Sequence, residues 1–381
     1  MRSLSNSFFL IAPFLALQAG GSSAASSEGD DGLYQAPPSY QATPLVSDTG
    51  LDGTKKDANL VNGWGIAFNP TGASWVSDNG SGKSTLYLGN GAPVPLVVTV
   101  PAGVASGSVA GSPTGIIYND STEFVVTETV PAKGGGTTTL SGAASFVFAT
   151  EDGVIAGWAP SVDVLNARIA VDNSTKGAVY KGLAIAGTGT TFQLYATDFR
   201  NRRIDVFDAE FKPVKEKAGA FEDPHLPADY APFGIQNING DLYVTYAKQD
   251  AARHDDVPGA GAGYVEVYDT SGKLIRCFAE RGALDAPWGL ALAPTSFGRF
   301  GGALLVGNFG NGIINAYDPL TGRHLGTLDD KEGKAIVLKG LWGIAFGNGV
   351  DAQPADALFY AAGPGDETHG GYGVLKSVPV E

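Results

Sequence analysis

Four short apolar runs in this chain end on a side-chain oxygen: "ASWVSD" on Asp78, "EFVVTE" on Glu128, "FQLYATD" on Asp198 and "ALLVGN" on Asn308. A fifth, "DLYVTY", ends on Tyr246. Carboxylates and amides are ligands for hard cations, which need several converging oxygens, so this set brought to one axis would hold calcium. Carboxylates crowded in that way raise one another's pKa unless a cation or an arginine balances them. The same residue types have a local use, because Asp and Asn at strand ends bond the backbone N–H groups of tight turns. Both readings are open at this level.

A second set consists of the residues just before six recurring glycines: Trp64, Thr114, Lys181, Phe233, Trp288 and Trp342. Aromatics in equivalent places could stack a sugar or another flat ligand, or they could fill the narrow inner end of the fold. The four histidines, His225, His254, His324 and His369, occur singly, without metal-ligand spacing. Those at 225, 254 and 369 fall in long connections and could serve as general bases. Cys277 stands alone in "KLIRCFAE", which excludes an intrachain disulfide and reads as a buried, inert thiol. "GSGKS" at Gly80 lacks phosphate-loop spacing, and no Gly-x-Ser-x-Gly elbow is present.

These residues are placed by a repeat. "NGWGIAFN", "SPTGIIYN", "YKGLAIAG", "APFGIQNI", "APWGLALA" and "GLWGIAFG" share Gly65, Gly115, Gly182, Gly234, Gly289 and Gly343. After each comes a second strand, one of the runs above or "ALFYAAG". A third strand follows, as in "STLYLG", "SFVFAT", "RRIDVFD" and "GYVEVYD", and then a fourth. Four antiparallel strands per unit make a propeller blade, and the expected fold is an all-β, six-bladed β-propeller. The sixth unit stops after three strands, whereas a spare strand, Tyr40 to Asp48, precedes the first unit. That strand is expected to complete the last blade.

Blade geometry puts the start of strand one and the turn between strands two and three on one face, here the upper face. Its expected connections are long: "SDNGSGKS", "TVPAKGGGTTTLSGAA", "AKQDAARHDDVPGAGAG" and "AGPGDETHGG". An additional excursion, residues 160–179, is expected at the start of the third blade. Rigid scaffolds carry function on such loops.

Composition agrees with this outline. The 381 residues include 54 glycines and 22 prolines, with no long amphipathic helical period, as many short strands and turns require. The formal net charge of −14 repels phosphate backbones, so nucleic acid is not an expected partner. Residues 1–24 read as a secretory signal peptide, with Arg2 before the apolar stretch Phe8–Leu17. Residues 25–39 read as a flexible segment and 40–381 as the propeller. No later run is long enough for a membrane-spanning helix, so an exported, periplasmic or extracellular monomer is expected.

"YATDFRNRRIDVFD" resembles the NHL repeat, and related six-bladed propellers of the gluconolactonase kind often hold an axial calcium on Asn, Asp and Glu near the inner-strand starts. Four aromatics, a hydroxyl and an ammonium at those starts depart from that pattern. The ordered motifs "NGWGIAFNP", "WVSDNGSGKSTLY", "FVFATEDGVIAGW", "VDNSTKGAVYKGLAI", "LPADYAPFGIQNI" and "LLVGNFGNG" resemble an uncharacterised secreted family of conserved hypothetical proteins. Some of its members carry a PEP-CTERM tail, which is not seen here. The resemblance supplies no catalytic residue. The expected function is a scaffold binding a small molecule, glycan or protein through Trp64, Lys181, Phe233, Trp288 and Trp342. The alternative is a calcium-dependent lactonase, hydrolase or lyase using Asp78, Glu128, Asp198 and Asn308. Calcium is the one cofactor either reading invokes.

Overall fold

A computed structural model describes residues 39–379 apart from 52, 188 and 190. The signal peptide expected at 1–24, and all of the flexible segment but Ser39, lie outside the described residues. The six repeat glycines sit on six first strands: Gly63–Phe68, Pro113–Tyr118, Tyr180–Gly187, Tyr230–Ile238, Pro287–Leu292 and Leu341–Phe346. Each packs against the next, and the sixth against the first, so the ring closes as a six-bladed propeller.

The glycines recur for a steric reason. A Cβ on Gly65 would lie 2.6 Å from the Thr114 carbonyl oxygen, and one on Gly182 would lie 2.8 Å from that of Phe233. The corresponding distances are 2.1 Å from Gly234 to Trp288, 2.6 Å from Gly289 to Trp342 and 2.4 Å from Gly343 to Trp64. Gly115 meets the Leu183 amide nitrogen at 2.4 Å. At every joint the backbone of the next blade occupies the space a side chain would need.

Outward from this ring the strands alternate faces. In the second blade Phe146, Phe148, Val154 and Ala156 pack on the first blade, while Val147, Ala149 and Ile155 pack on the third. The period of two thus builds one apolar layer between each pair of neighbours. The last blade is completed as expected: Ser39–Ser47 pairs antiparallel with Gly371–Val378, from Ser39 opposite Val378 to Ser47 opposite Gly371. Tyr40 anchors it. Its hydroxyl donates to the Phe297 carbonyl at 3.0 Å and accepts from the Phe300 N–H at 3.1 Å.

The second blade corrects the expected register. "EFVVTE" is not its second strand; Val125–Pro131 and Thr137–Ala143 form a separate hairpin inserted after strand one. The second strand is Phe146–Thr150, with Val154–Trp158 and Arg168–Asp172 following. The loop "TVPAKGGGTTTLSGAA" therefore belongs to the turn between strands one and two, on the lower face. The extra length of this unit lies in that hairpin. The 160–179 stretch, expected as an excursion, contains the blade's ordinary fourth strand. The third blade has three strands, with a single bridge from Phe207 to Pro213 at its edge.

A second correction concerns Cys277, which is exposed on an outer strand of the fourth blade, not buried. Local burial and the facing Glu266 carboxylate push its thiol up to about 12, so it is inert through its neighbours. Glu266 is wholly buried, and that burial, with Asp223 nearby, pushes its carboxyl up to about 8. The folded state then holds this proton more tightly than the unfolded chain, whose glutamates titrate near 4.3. The contribution of Glu266 to stability is therefore most favourable at acid pH and declines as pH rises towards 8 and beyond. Glu266→Gln is expected to stabilise the protein at pH 9 by roughly 2–4 kcal/mol and to change little at pH 5. Denaturant titrations at both pH values check this; equal differences at the two would refute it.

Candidate functional site

Strand pairing identifies the residues that ring the channel mouth. Gly63 faces Asp78, Pro113 faces Thr150, Tyr180 faces Asp198, and Pro287 faces Asn308. The second-strand end of the second blade is thus Thr150. Glu128 lies instead in the inserted hairpin, ion-paired to Arg168, because Val125–Pro131 pairs with Thr137–Ala143 and not with the blade's first strand.

Of the other three oxygen-bearing ends, Asp198 and Asn308 bond locally, whereas neither carboxyl oxygen of Asp78 has a hydrogen-bond partner among the described residues. Asp78 is fully buried beside Thr85 and Tyr87, and burial holds its carboxyl well above the usual range. Asp198 accepts from the Val179 N–H at 3.2 Å and the Asn201 side chain at 2.7 Å, and lies 3.3 Å from Arg203. Asn308 donates to the Ala283 carbonyl at 2.8 Å and to Asn311 Oδ1 at 3.2 Å. These contacts are the turn and blade-joint bonds that Asp and Asn commonly make.

One position further on, the chain turns over the mouth, and these residues were missed in the sequence. Asn79, Glu151, Phe199 and Phe309 follow the second-strand ends of blades one, two, three and five. Phe199 and Phe309 pack with Trp64, Phe233, Trp288 and Trp342 in one aromatic cluster at the axis. Trp64 stacks on Trp342 at 3.4 Å, and Trp342 on Phe309 at 4.0 Å. Trp288 meets both tryptophans edge-on. Trp64, Phe233 and Trp342 are at most 1% exposed and Trp288 is 8% exposed, so their faces are spent on one another. Beneath them the axial cavity is about 40 Å3, bounded by five of the six repeat glycines. It has room for a few waters and no substrate.

Lys181 lies against this plug, 1% exposed, its ammonium 5.1 Å from the Trp64 ring and 5.8 Å from that of Phe199. It donates to Glu151, and Asp255 lies 3.4 Å away on a long loop of the fourth blade. Burial alone would depress the Lys181 pKa. The attraction of Glu151, with help from Asp255 and Asp256, outweighs it and raises the pKa instead. A hydrogen-bond chain ties plug to charge. Trp342 donates to Asn62, Asn62 to Asn79 at 3.3 Å, and Asn79 to the second Glu151 oxygen at 2.8 Å.

Loops of the fourth and sixth blades complete the mouth. His254 shares a hydrogen bond with Asp255 at 2.8 Å, which raises the histidine and, with Lys181, holds Asp255 at about 2. Burial pushes both Asp256 and Glu367 up to about 7; repulsion from Glu151 adds to the rise of Glu367. Ligand atoms of Glu151, His254 and Asp255 fall within 4.8 Å of one another, the spacing of a metal site. Lys181, however, already bonds two of the three. The remaining histidines stand elsewhere: His225 on Asp223, His369 on Asp48, and His324 on Asn315 of an outer strand pair.

Fold and site together define a six-bladed β-propeller whose axis is closed by aromatic rings beneath an ion-paired, loop-built mouth. Two relatives place it further. The uncharacterised protein R648 of Acanthamoeba polyphaga mimivirus is 33% identical over 322 residues, 82% of this chain and 75% of that protein. The uncharacterised protein L690 of the same virus is 33% identical over 324 residues, 82% of this chain and 80% of its own length. The chain belongs to the family of these proteins. No protein-family model matches it. Among solved structures it is similar in outline to a virginiamycin B lyase from Staphylococcus aureus, with 12% identity and a TM-score of 0.49 over 90% of this chain and all of that one. An aldose sugar dehydrogenase from Escherichia coli gives 13% and 0.48, again over 90% of this chain and all of its own. Neither likeness carries chemistry across. Among the described residues no helix is long and apolar enough to cross a membrane.

Proposed function

We propose that this protein is a binding scaffold that uses the loop-rich upper face and performs no chemistry in its channel. The observation behind this reading is the aromatic plug. With Trp64, Phe233 and Trp342 buried to 1% or less, Trp288 to 8%, and Lys181 pinned against them, these five residues make a rigid floor. A ligand would rest on the loops above it. Such a floor suits recognition, because groups that are already packed lose little freedom when a partner docks. The signal peptide expected at residues 1–24 would fit a role outside the cytoplasm.

The alternative, a calcium-dependent hydrolase or lyase, draws on Glu151, His254 and Asp255 rather than on Asp78, Glu128, Asp198 and Asn308. It requires the cation to displace the Lys181 ammonium. A screen of metabolites, glycans and candidate protein partners by melting temperature and tryptophan emission, with and without calcium, separates the two. The scaffold reading expects at least one ligand that raises the melting temperature without turnover and without calcium. Turnover of a ligand, or binding only with calcium, would overturn it.

A further inference from the structure

The upper face is not uniformly closed. Between the fifth and sixth blades, beside the aromatic plug, it opens into a groove of about 460 Å3 lined by Phe309, Asn311, Lys339, Asp366 and Glu367, with glycines for much of its wall. That volume falls within the span of small-molecule sites. The glycines cannot be enlarged cheaply. A Cβ on Gly312 would sit 2.3 Å from the Leu338 carbonyl oxygen, and one on Gly340 would sit 2.2 Å from that of Gly363. The wall is therefore held as bare backbone.

Each side chain in the groove has a defined capacity left. Phe309 is half-buried, and one face is taken by Trp342, so its other face and edge remain for the groove. Because Trp342 is itself stacked on the buried Trp64, Phe309 is the outermost of three rings and cannot turn away. The Asn311 side-chain oxygen already accepts from the Asn308 side chain and the Ile313 N–H, which leaves its amide N–H groups to donate. Lys339 has no carboxylate within ion-pair distance among the described residues and is a second donor. Asp366 and Glu367 supply acceptors.

The two acids are held there at a cost. Gly365, Asp366 and Glu367 have φ values of 67°, 52° and 64°, three successive left-handed residues of which two carry side chains. Each such non-glycine residue costs about 1 kcal/mol or more, and strain of this kind collects where a loop must present particular groups. The turn is fastened by the Glu367 N–H on the Gly363 carbonyl and the Thr368 N–H on that of Gly365.

We infer that this groove is a saccharide subsite, in which Phe309 carries the C–H face of a pyranose ring, Asp366 and Glu367 accept its hydroxyls, and Asn311 and Lys339 donate to them. The inference rests on the reading of the upper face as a binding surface and specifies what it binds. A neutral polyhydroxylated ring is the class that uses one aromatic platform with donors and acceptors on both sides. A phosphate would face two carboxyls. A simple amine would face Lys339, and a wholly apolar ligand would leave all four polar side chains unpaired.

The test is calorimetric and fluorimetric titration with neutral hexoses, N-acetylhexosamines and their disaccharides. At least one should bind and change the emission of the tryptophans under Phe309. Phe309→Ala should weaken that binding at least tenfold and Phe309→Trp should keep it, with both melting temperatures compared to the parent. Should Phe309→Ala fold poorly, Lys339→Met, a change at an exposed side chain, is expected to weaken binding three- to tenfold. No saccharide bound, or binding unchanged by all these substitutions, overturns the saccharide site. If another ligand then binds the upper face, the scaffold reading survives without it; if nothing binds there, both fall.

Discussion

Lys181→Met is expected to destabilise the protein by about 3–5 kcal/mol at neutral pH, the loss typical when one partner of a buried ion pair is removed. The Lys181 side chain is 2% exposed and that of Glu151 12%. Asp255, at 66%, has water to fall back on and contributes little. Without the ammonium, Glu151 keeps only the Asn79 amide as a donor, at the edge of an aromatic cluster that solvates a charge poorly. The lost attraction exceeds any gain from the apolar replacement because the carboxylate stays behind. Lys181→Met with Glu151→Gln should recover most of the loss. Denaturant unfolding of the parent, both single variants and the double variant measures this coupling. A single-variant cost below about 1 kcal/mol, or no recovery in the double, would show that the pair does not hold the mouth together.

The second large effect concerns the inner ring. Gly234→Ala is expected to cost about 3 kcal/mol or more, at the upper end for overpacking. Its Cβ would lie 2.1 Å from the Trp288 carbonyl oxygen, and the obstacle is backbone of the neighbouring blade, not a side chain that can rotate aside. The whole fifth blade would have to move, and its first strand is fixed to the sixth by the same kind of contact at Gly289. At about 1–2 °C per kcal/mol for a domain this large, the melting temperature should fall by roughly 4 °C or more. Gly187→Ala, where the nearest atom is a Phe192 ring carbon at 3.6 Å, is the control and should be nearly neutral. Equal melting temperatures for the two variants would remove the steric explanation of the repeat.

That explanation also accounts for how much could be read in advance. A glycine imposed by contact with the next blade must recur once per blade, so six glycines were enough to define the ring, the blade count and the strand that closes it. The second blade defeated the same reasoning. "EFVVTE" has the alternation and β-branched content of any strand, and nothing local distinguishes a hairpin insertion from a ladder strand. The slip put Glu128 in the place of Thr150, and so hid the next residue, Glu151, the acid that holds Lys181. Lys181 itself was placed correctly because it precedes a repeat glycine. Asp255, Asp256 and Glu367 were illegible for a different reason. They come from loops whose course over the mouth depends on contacts with other blades, and no sequence period marks such residues.

The strand at Ser39–Ser47 has a consequence for the living chain. A ribosome makes it well before its partner Gly371–Val378, and more than three hundred residues separate the two. At the usual pace of synthesis, several to twenty residues each second, the first-made strand waits on the order of half a minute without that partner. Five blades can be assembled in that time, yet the ring stays open until the last strand emerges. A chain interrupted anywhere before that point would present an unsatisfied sheet edge, recognisable to the machinery that removes unfinished products.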